Sequence, residues 1–508
     1  MEIKIEQIPM KVRMVALSLQ MAGFEAYFVG GCVRDLLLGR VPHDWDITTS
    51  ATPEQIISLF PHTFYENEYG TVGVVLDSTV EENKANKLIS SELLSREYKT
   101  SNIVEVTPFR GEGEYSDSRH PDKVFWVKDV KEDLARRDFT CNAIALDIKD
   151  MSFIDPYDGI KDIENKLLKC VRNADDRFNE DALRMMRLIR FYSQLGFEIE
   201  AVTHESAKKN AYKLKEISIE RIQEEFKKLL LTQSPMPGLI ISHEIGLLKY
   251  FLSELENGIG ISQNQAHSFD VWEHNLRTLQ HAADKGWDIN LRLSALFHDI
   301  SKPETRRYSE EKKDYTFYGH DVVGGRVTRV IMERMKFPKD QIEKVSLMVR
   351  WHMFFSDTEQ ITLSAVRRLI TNVGKDNIWD LVNLRICDRV GTGRPKEEPY
   401  RLRKYESMIE QALVDPISLK QMKIDGKRIM EVTQETPGPR VGYILHALFE
   451  EILDDPERNT TEYLEGRALH MKSLPLEELK SLAERGKEVM EEKNLAQVAS
   501  IRKSFHVK

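Results

Sequence analysis

The spacing of apolar residues divides the chain into two kinds of region. Ile8 to Met21 repeats apolar positions at helical intervals, and Gly23 is placed to end that helix. Glu25 to Val29 reads as a strand. Thr52-Pro53-Glu54-Gln55 is a capping box with proline at the first helical position, opening a helix that runs to about Phe60. Thr71 to Leu76 and Asn102 to Thr107 are further β-rich runs, and the polar stretch Ser78 to Lys99 between them reads as an insertion or extended hairpin loop. From Lys161 onward the pattern is helical, with long unbroken periods over Glu180 to Leu195 and Ile219 to Leu231. Asn257 to Gln265 is a linker rich in Gly, Ser, Gln and Asn. His267 to about Thr392 forms a histidine-bearing helical unit, and Gly391 to Lys396 a boundary loop. The remainder is helical, with a turn over Thr436 to Arg440.

A chain of 508 residues is too long for one ordinary core, so two to four domains are expected. Hydrophobic content of 41% with 31% charged residues describes a globular protein that needs no membrane. A formal net charge of −9 argues against binding nucleic acid over the whole surface, and leaves room for a local basic groove. The four cysteines are far apart in sequence with no CxxC pair, which fits a reduced, cytoplasmic setting. No apolar run reaches membrane-spanning length, and the first residues do not read as a signal peptide.

The most informative chemistry lies in Val29-Gly-Gly-Cys-Val-Arg-Asp-Leu-Leu-Leu-Gly-Arg-Val-Pro-His-Asp-Trp-Asp-Ile47. It reads as strand, double-glycine turn, short helix and a second strand carrying Asp44 and Asp46. Residues i and i+2 of a strand share a face, so both carboxylates aim at one spot and repel each other unless a cation lies between them. Gly30 and Gly31 leave a backbone that can approach a phosphate closely, and Arg34 follows one helical turn later as an anion ligand. The stretch reads as a place to hold a metal-bound nucleotide triphosphate.

Gly30 to Ile47 also resembles the head signature of the class II tRNA nucleotidyltransferase and bacterial poly(A) polymerase family. The resemblance implies an α/β, polymerase-β-like nucleotidyltransferase head followed by an all-α neck, an HD domain and a tail. The expected divisions are a head at 1–155, a neck at 156–256, an HD domain at 257–393 and a tRNA-binding tail at 394–508. Glu105, in Val104-Glu-Val-Thr-Pro-Phe-Arg110, matches the family's third carboxylate. Asp44, Asp46 and Glu105 would make an oxygen-only site that suits Mg2+. The implied reaction is two-metal nucleotidyl transfer: one ion lowers the pKa of a primer 3′-hydroxyl and the other neutralises the leaving pyrophosphate.

Two further motifs fit this resemblance. Arg136-Arg-Asp-Phe-Thr-Cys-Asn142 matches the family's RRDFTxNA motif, with Arg137 serving phosphates and Asp138 and Asn142 contacting the ribose or ordering the site. A helix start capped by Asp138 is the plainer reading. In Glu180-Asp-Ala-Leu-Arg184, Asp181 and Arg184 stand i and i+3 on the expected helix, on one face. A carboxylate accepts an amino hydrogen, and a guanidinium donates to a ring nitrogen or carbonyl. Cytosine and adenine offer that pattern, whereas uracil and guanine offer its reverse. The family's EDxxR motif is likewise an amino-acid template for CTP and ATP, with Glu180 holding Arg184. Arg187 and Arg190 continue the basic face toward triphosphate or primer. Taken alone, ExxxR is more commonly an ordinary helical ion pair.

A second constellation comprises His274, His298-Asp299 and Asp388. An apolar helix ending in His-Asp is poor packing and good metal ligation. The order resembles the HD phosphohydrolases, which implies a divalent metal held by these four residues and hydrolysis of phosphate esters, with 2′,3′-cyclic or terminal RNA phosphates as sensible substrates. Lys302 would contact phosphate, and His320 and His352 extend the site. The segment Glu112 to Val124, including Arg119 and His120, resembles the family's flexible loop, which enzymes adding only C lack. In the tail, Lys427 and Arg428 are candidates for RNA phosphates. The expectation is template-independent addition of C, C and A to the tRNA 3′ end from CTP and ATP. The alternatives are an A-adding or poly(A)-polymerase relative, and an RNA-binding module with only HD activity.

Overall fold

A computed structural model describes residues 3–65, 70–76, 102–112, 124–263, 268–354, 362–394, 396–413, 422–454, 456–483 and 502–506. The expected insertion at Ser78 to Lys99 and most of the loop at Glu112 to Val124 lie outside these residues. The chain forms two compact units, one of residues 1–350 with 391–393, the other of 351–390 with 394–508.

The first unit opens with α1 (Met10–Met21), β1 (Ala26–Val29), α2 (Gly31–Leu37), β2 (Trp45–Thr49) and α3 (Pro53–Leu59). Helix α1 starts two residues later than its apolar period, because Pro9 takes the N-cap position. The capping box of α3 is present as read: Thr52 Oγ1 accepts from Gln55 N, and Gln55 Oε1 accepts from Thr52 N. Then come β3 (Thr63–Tyr65), β4 (Val72–Val75), β5 (Ile103–Pro108), β6 (Arg110–Glu112), β7 (Val124–Trp126), α4 (Val130–Ala135), β8 (Ala145–Leu146) and β9 (Phe153–Ile154). Seven strands form one sheet in the order β3-β4-β5-β2-β1-β8-β9. Its β2–β5 pair is parallel and its other pairs antiparallel. Strand alternation sends Val104 and Val106 into the core and turns Glu105 to the opposite face.

The helices that follow are α5 (Gly159–Glu164), α6 (Ala174–Glu180), α7 (Leu183–Leu195), α8 (Ala201–Asn210), α9 (Ile219–Leu230) and α10 (Pro235–Glu244). Helix α7 buries Met185, Met186, Leu188 and Ile189 and packs on α9 and α10. Next are α11 (Ser253–Glu256), α12 (Val271–Asp284), α13 (Ile289–Phe297), α14 (Lys302–Thr305) and α15 (His320–Arg334). One continuous apolar cluster joins Ile3 of the head to Val349, so head, neck and the histidine-bearing helices of this unit share a core. The α/β head followed by helices is therefore the architecture expected.

The second unit is helical among its described residues, with helices over Leu363–Val373, Tyr400–Leu413, Gly426–Thr433, Pro439–Asp454 and Thr461–Lys472. Phe354 stacks on Tyr405 at 5.0 Å, and a separate core gathers Ile429, Ile444, Leu448 and Leu464. No helix of the described residues is long and apolar enough to cross a membrane.

Candidate active site

Strand β2 delivers Asp46, and Asp44 stands one residue ahead of that strand rather than in it. Asp46 lies in register with Glu105 on the parallel neighbour β5, which brings the two carboxylates to adjacent positions on one sheet face. All three acids line a cavity of about 980 Å3, open between the sheet and α7. Gly30 closes one side. Its φ of +76° belongs to the left-handed half of conformational space, and a Cβ there would stand 2.9 Å from Arg137 Nη1 and 3.6 Å from Asp46 Oδ2. A hard divalent cation suits this oxygen-only donor set, and the bare backbone at Gly30 leaves it space.

The basic floor of the cavity is a chain of charge-assisted bonds. Arg34, only 4% exposed, donates to Asn142 Oδ1 at 2.8 Å and to Asp35 at 2.9 Å. Asn142 Nδ2 donates to Asp138 Oδ1 at 3.3 Å, and Arg187 Nε donates to Asp138 Oδ2 at 2.7 Å. Burial alone would raise the Asp138 carboxyl, but Arg187 and the Phe139 amide hold it down at about 2. Asp138 and Asn142 therefore line the cavity already tied to arginines. Arg137 reaches Asp133 Oδ2 at 3.3 Å, and Arg136 reaches Asp133 Oδ1 at 2.7 Å. Burial opposes the ionised form of Asp133, but these two guanidiniums lower its pKa below the usual value.

The segment bearing Asp181 departs from the continuous helix that its period predicts. Helix α6 ends at Glu180, Asp181 is extended at φ −146° and ψ 105°, and α7 begins at Leu183. Asp181 Oδ1 accepts from the Leu183 amide at 3.0 Å, a local bond that competes with helix continuation. Its Oδ2 accepts from Arg221 at 2.7 Å. Arg184, in the first turn of α7, donates to Glu180 at 2.6 Å, to the Arg177 carbonyl at 3.1 Å and to the Arg136 carbonyl at 3.0 Å. Asp181 and Arg184 thus face the same cavity across a helix break, not along one helix. Arg190 pairs with Glu225 at 2.7 Å, and Arg187 and Arg190 both line the cavity. Asp133, Arg221 and Glu225 were not singled out from sequence. Asp133 had a signal in its i, i+3 and i, i+4 spacing to Arg136 and Arg137.

A second cluster lies where α12, α13 and α15 converge. His274 Nε2 is 3.0 Å from His298 Nε2, and Asp299 Oδ2 is 3.1 Å and 3.2 Å from those two nitrogens. Asp299 Oδ1 faces His320 Nε2 at 3.3 Å, and Lys302 Nζ is 2.6 Å from Asp299 Oδ2. His298 Nδ1 lies 2.9 Å from the Ala295 carbonyl and His320 Nδ1 2.6 Å from the Phe317 carbonyl. A carbonyl only accepts, so both Nδ1 atoms carry hydrogen and both Nε2 atoms turn to the cluster. Burial works against ionising Asp299, but His298 and Lys302 hold its carboxyl well below the usual range. The Nε2 atoms of His274 and His298 and the Asp299 carboxylate, in mutual contact, make a donor set that fits a divalent metal. Asp388 and His352 belong to the second unit, where Asp388 accepts from Arg385 at 2.6 Å. Arg119 and His120 lie outside the described residues.

Residues 26–169 match the family model described as "Poly A polymerase head domain". The head of the chain is thus similar to that domain family. Residues 196–259 match the model for the "Probable RNA and SrmB- binding site of polymerase A", and residues 271–389 the HD domain. Both kinds of domain imply dependence on divalent metal. The chain is 44% identical over 251 residues to a CCA-adding enzyme of Limosilactobacillus reuteri, covering 49% of this chain and 56% of that protein. It is 44% identical over 237 residues to one from Geobacillus thermodenitrificans, covering 46% and 53%. The chain thus spans little more than half the length of the curated relatives it matches. Among solved structures, the Bacillus stearothermophilus CCA-adding enzyme in complex with CTP aligns with a TM-score of 0.58 at 26% identity, over 91% of this chain and 96% of that one.

Proposed function

We propose that this protein adds C, C and A to the 3′ end of tRNA from CTP and ATP without a nucleic-acid template, releasing pyrophosphate. The observation that carries this reading is the meeting of Asp44, Asp46 and Glu105 with Asp181 and Arg184 on one cavity. Mg2+ held by the three carboxylates would supply the charge neutralisation that nucleotidyl transfer needs at the primer hydroxyl and the leaving pyrophosphate. The chain's own residues orient the nucleotide. The basic floor takes the anionic end of the substrate, and Gly30 lets backbone come close to it. Asp181 accepts from the exocyclic amino group of cytosine or adenine, and Arg184 donates to the adjacent ring nitrogen or carbonyl. Both side chains are already held, Asp181 by Arg221 and Arg184 by Glu180, so the recognition edge is fixed before the base arrives. Uracil and guanine present a donor to Arg184 and an acceptor to Asp181, leaving buried polar groups unpaired, which is a strongly discriminating arrangement. That the structural relative was solved in complex with CTP supports CTP as a substrate.

The histidine cluster is read as a phosphohydrolase site for phosphate esters or 2′,3′-cyclic phosphates. His274, His298 and Asp299 would hold the metal, with Asp388 as the further ligand implied by the HD order, and Lys302 would neutralise the substrate phosphate. His320, on the second oxygen of Asp299, is a further ligand candidate. A cytoplasmic setting goes with a tRNA substrate. Equilibrium binding of the four nucleoside triphosphates tests the base-selecting part. CTP and ATP are expected to bind at least tenfold more tightly than UTP and GTP, and equal binding of all four would contradict the reading.

A further inference from the structure

Phe191 lies on α7 at 4% exposure, and three guanidiniums close on its ring. Arg190 Cζ stands 4.1 Å from the ring centroid, Arg34 Cζ 5.3 Å and Arg187 Cζ 5.5 Å. Phe139 meets the same ring edge-on at 5.8 Å. All three arginines line the candidate active-site cavity, as does Phe191 itself. Three cations this near one another repel, and their carboxylate partners stand on different elements. Arg34 pairs with Asp35 on α2, Arg187 with Asp138 in the turn before β8, and Arg190 with Glu225 on α9. Among the described residues, the aromatic ring stands against all three. Its face carries negative charge density that attracts guanidinium planes and adds no net charge of its own.

We infer that Phe191 is a positioning residue for the anionic end of the nucleotide: its ring holds Arg34, Arg187 and Arg190 as one convergent cationic floor. A carboxylate in its place would gather the arginines and repel the triphosphate; the ring gathers them and leaves their charge to the ligand. An aliphatic side chain fills the volume but offers the guanidiniums no common negative face. The inference rests on the cavity being a nucleotide site, and it assigns to Phe191 a role in phosphate affinity, not in base choice.

The test uses the full chain and two probes, inorganic tripolyphosphate and CTP, followed by titration calorimetry. Phe191 is replaced by 4-fluorophenylalanine and by 3,4,5-trifluorophenylalanine, which keep the ring's shape while stripping its negative face in steps. Phe191→Leu is the companion variant. The expected result is a stepwise fall in tripolyphosphate affinity, about tenfold at trifluorination, with the melting temperature and the CTP-over-UTP preference unchanged. A flat series across the fluorinated rings overturns the inference even if Phe191→Leu unfolds, because it leaves the ring a packing role only. Native protein that binds CTP but not tripolyphosphate overturns it as well. Native protein that binds neither probe instead removes the nucleotide reading of the cavity.

Discussion

Arg184 Nη1 lies 2.6 Å from Glu180 Oε2, across the break that separates α6 from α7. The bond spans an interruption in the helix, so the guanidinium is held by a side chain whose backbone it does not share in one continuous coil. Glu180 also accepts from Arg177, so one carboxylate orders two arginines. Glu180→Ala is expected to leave Arg184 held by the Arg177 and Arg136 carbonyls alone and to raise KM for CTP and ATP about tenfold, the worth of one charge-assisted bond. Misincorporation of UMP and GMP should rise with it. Steady-state incorporation with each triphosphate measures both, and an unchanged base preference would assign Glu180 to folding alone.

Asp46 and Glu105 stand in register on adjacent parallel strands. Asp46→Asn should lower nucleotide incorporation by on the order of 10³-fold, because it removes a charge from the cation site. In the presence of a chelator its melting temperature should not fall, since converging carboxylates repel without a cation. Loss of activity together with a large drop in melting temperature would point to a structural role.

Gly30 adopts φ +76° with Arg137 Nη1 only 2.9 Å from where a Cβ would sit. Gly30→Ala is expected to cost roughly 1–3 kcal/mol in urea denaturation from backbone strain, and to reduce incorporation by displacing Arg137. Native stability in the variant would mean that the turn relaxes freely.

Asp138 gives the fold a defined acid limb. Its carboxyl is held at about 2 against an ordinary 3.8. A lowered pKa contributes stability that is present above pH ~4 and is lost as pH falls toward 2, here about 2 kcal/mol. Asp138→Asn should therefore destabilise most at neutral pH, with the difference from native protein shrinking between pH 4 and pH 2. Urea titrations across that range would contradict the Arg187–Asp138 account if the difference were constant.

His298→Ala removes a member of the cluster around Asp299. Metal-dependent hydrolysis of a 2′,3′-cyclic nucleotide should be lost while nucleotide incorporation persists. Joint loss of both would mean that the two sites do not act independently.

Much of the candidate site was legible because its chemistry repeats at the period of its backbone. Glu105 between buried valines follows strand alternation, and so does Asp46, whereas Asp44, read as a strand residue, stands just ahead of the strand; His298-Asp299 closes an apolar helix. The break at Asp181 was not legible, because apolar positions continue at helical spacing on both sides. What ends the helix is the Asp181 carboxylate bonding the Leu183 amide, a local competition that hydrophobic pattern does not register. Arg221 and Glu225 read as one polar helix face, and their partners Asp181 and Arg190 lie 40 and 35 residues earlier. Such pairings depend on how α7 and α9 pack, which spacing within either helix does not encode.

The central claim is that one cavity adds C and A in order to a tRNA end. Its most direct measurement is sequencing of the product made on tRNA lacking its last three nucleotides, with all four triphosphates present. The account predicts a product extended by C, C and A, no incorporation of U or G, and no extension beyond A. Extension by repeated A with ATP alone, on tRNA and unrelated RNA alike, would contradict it.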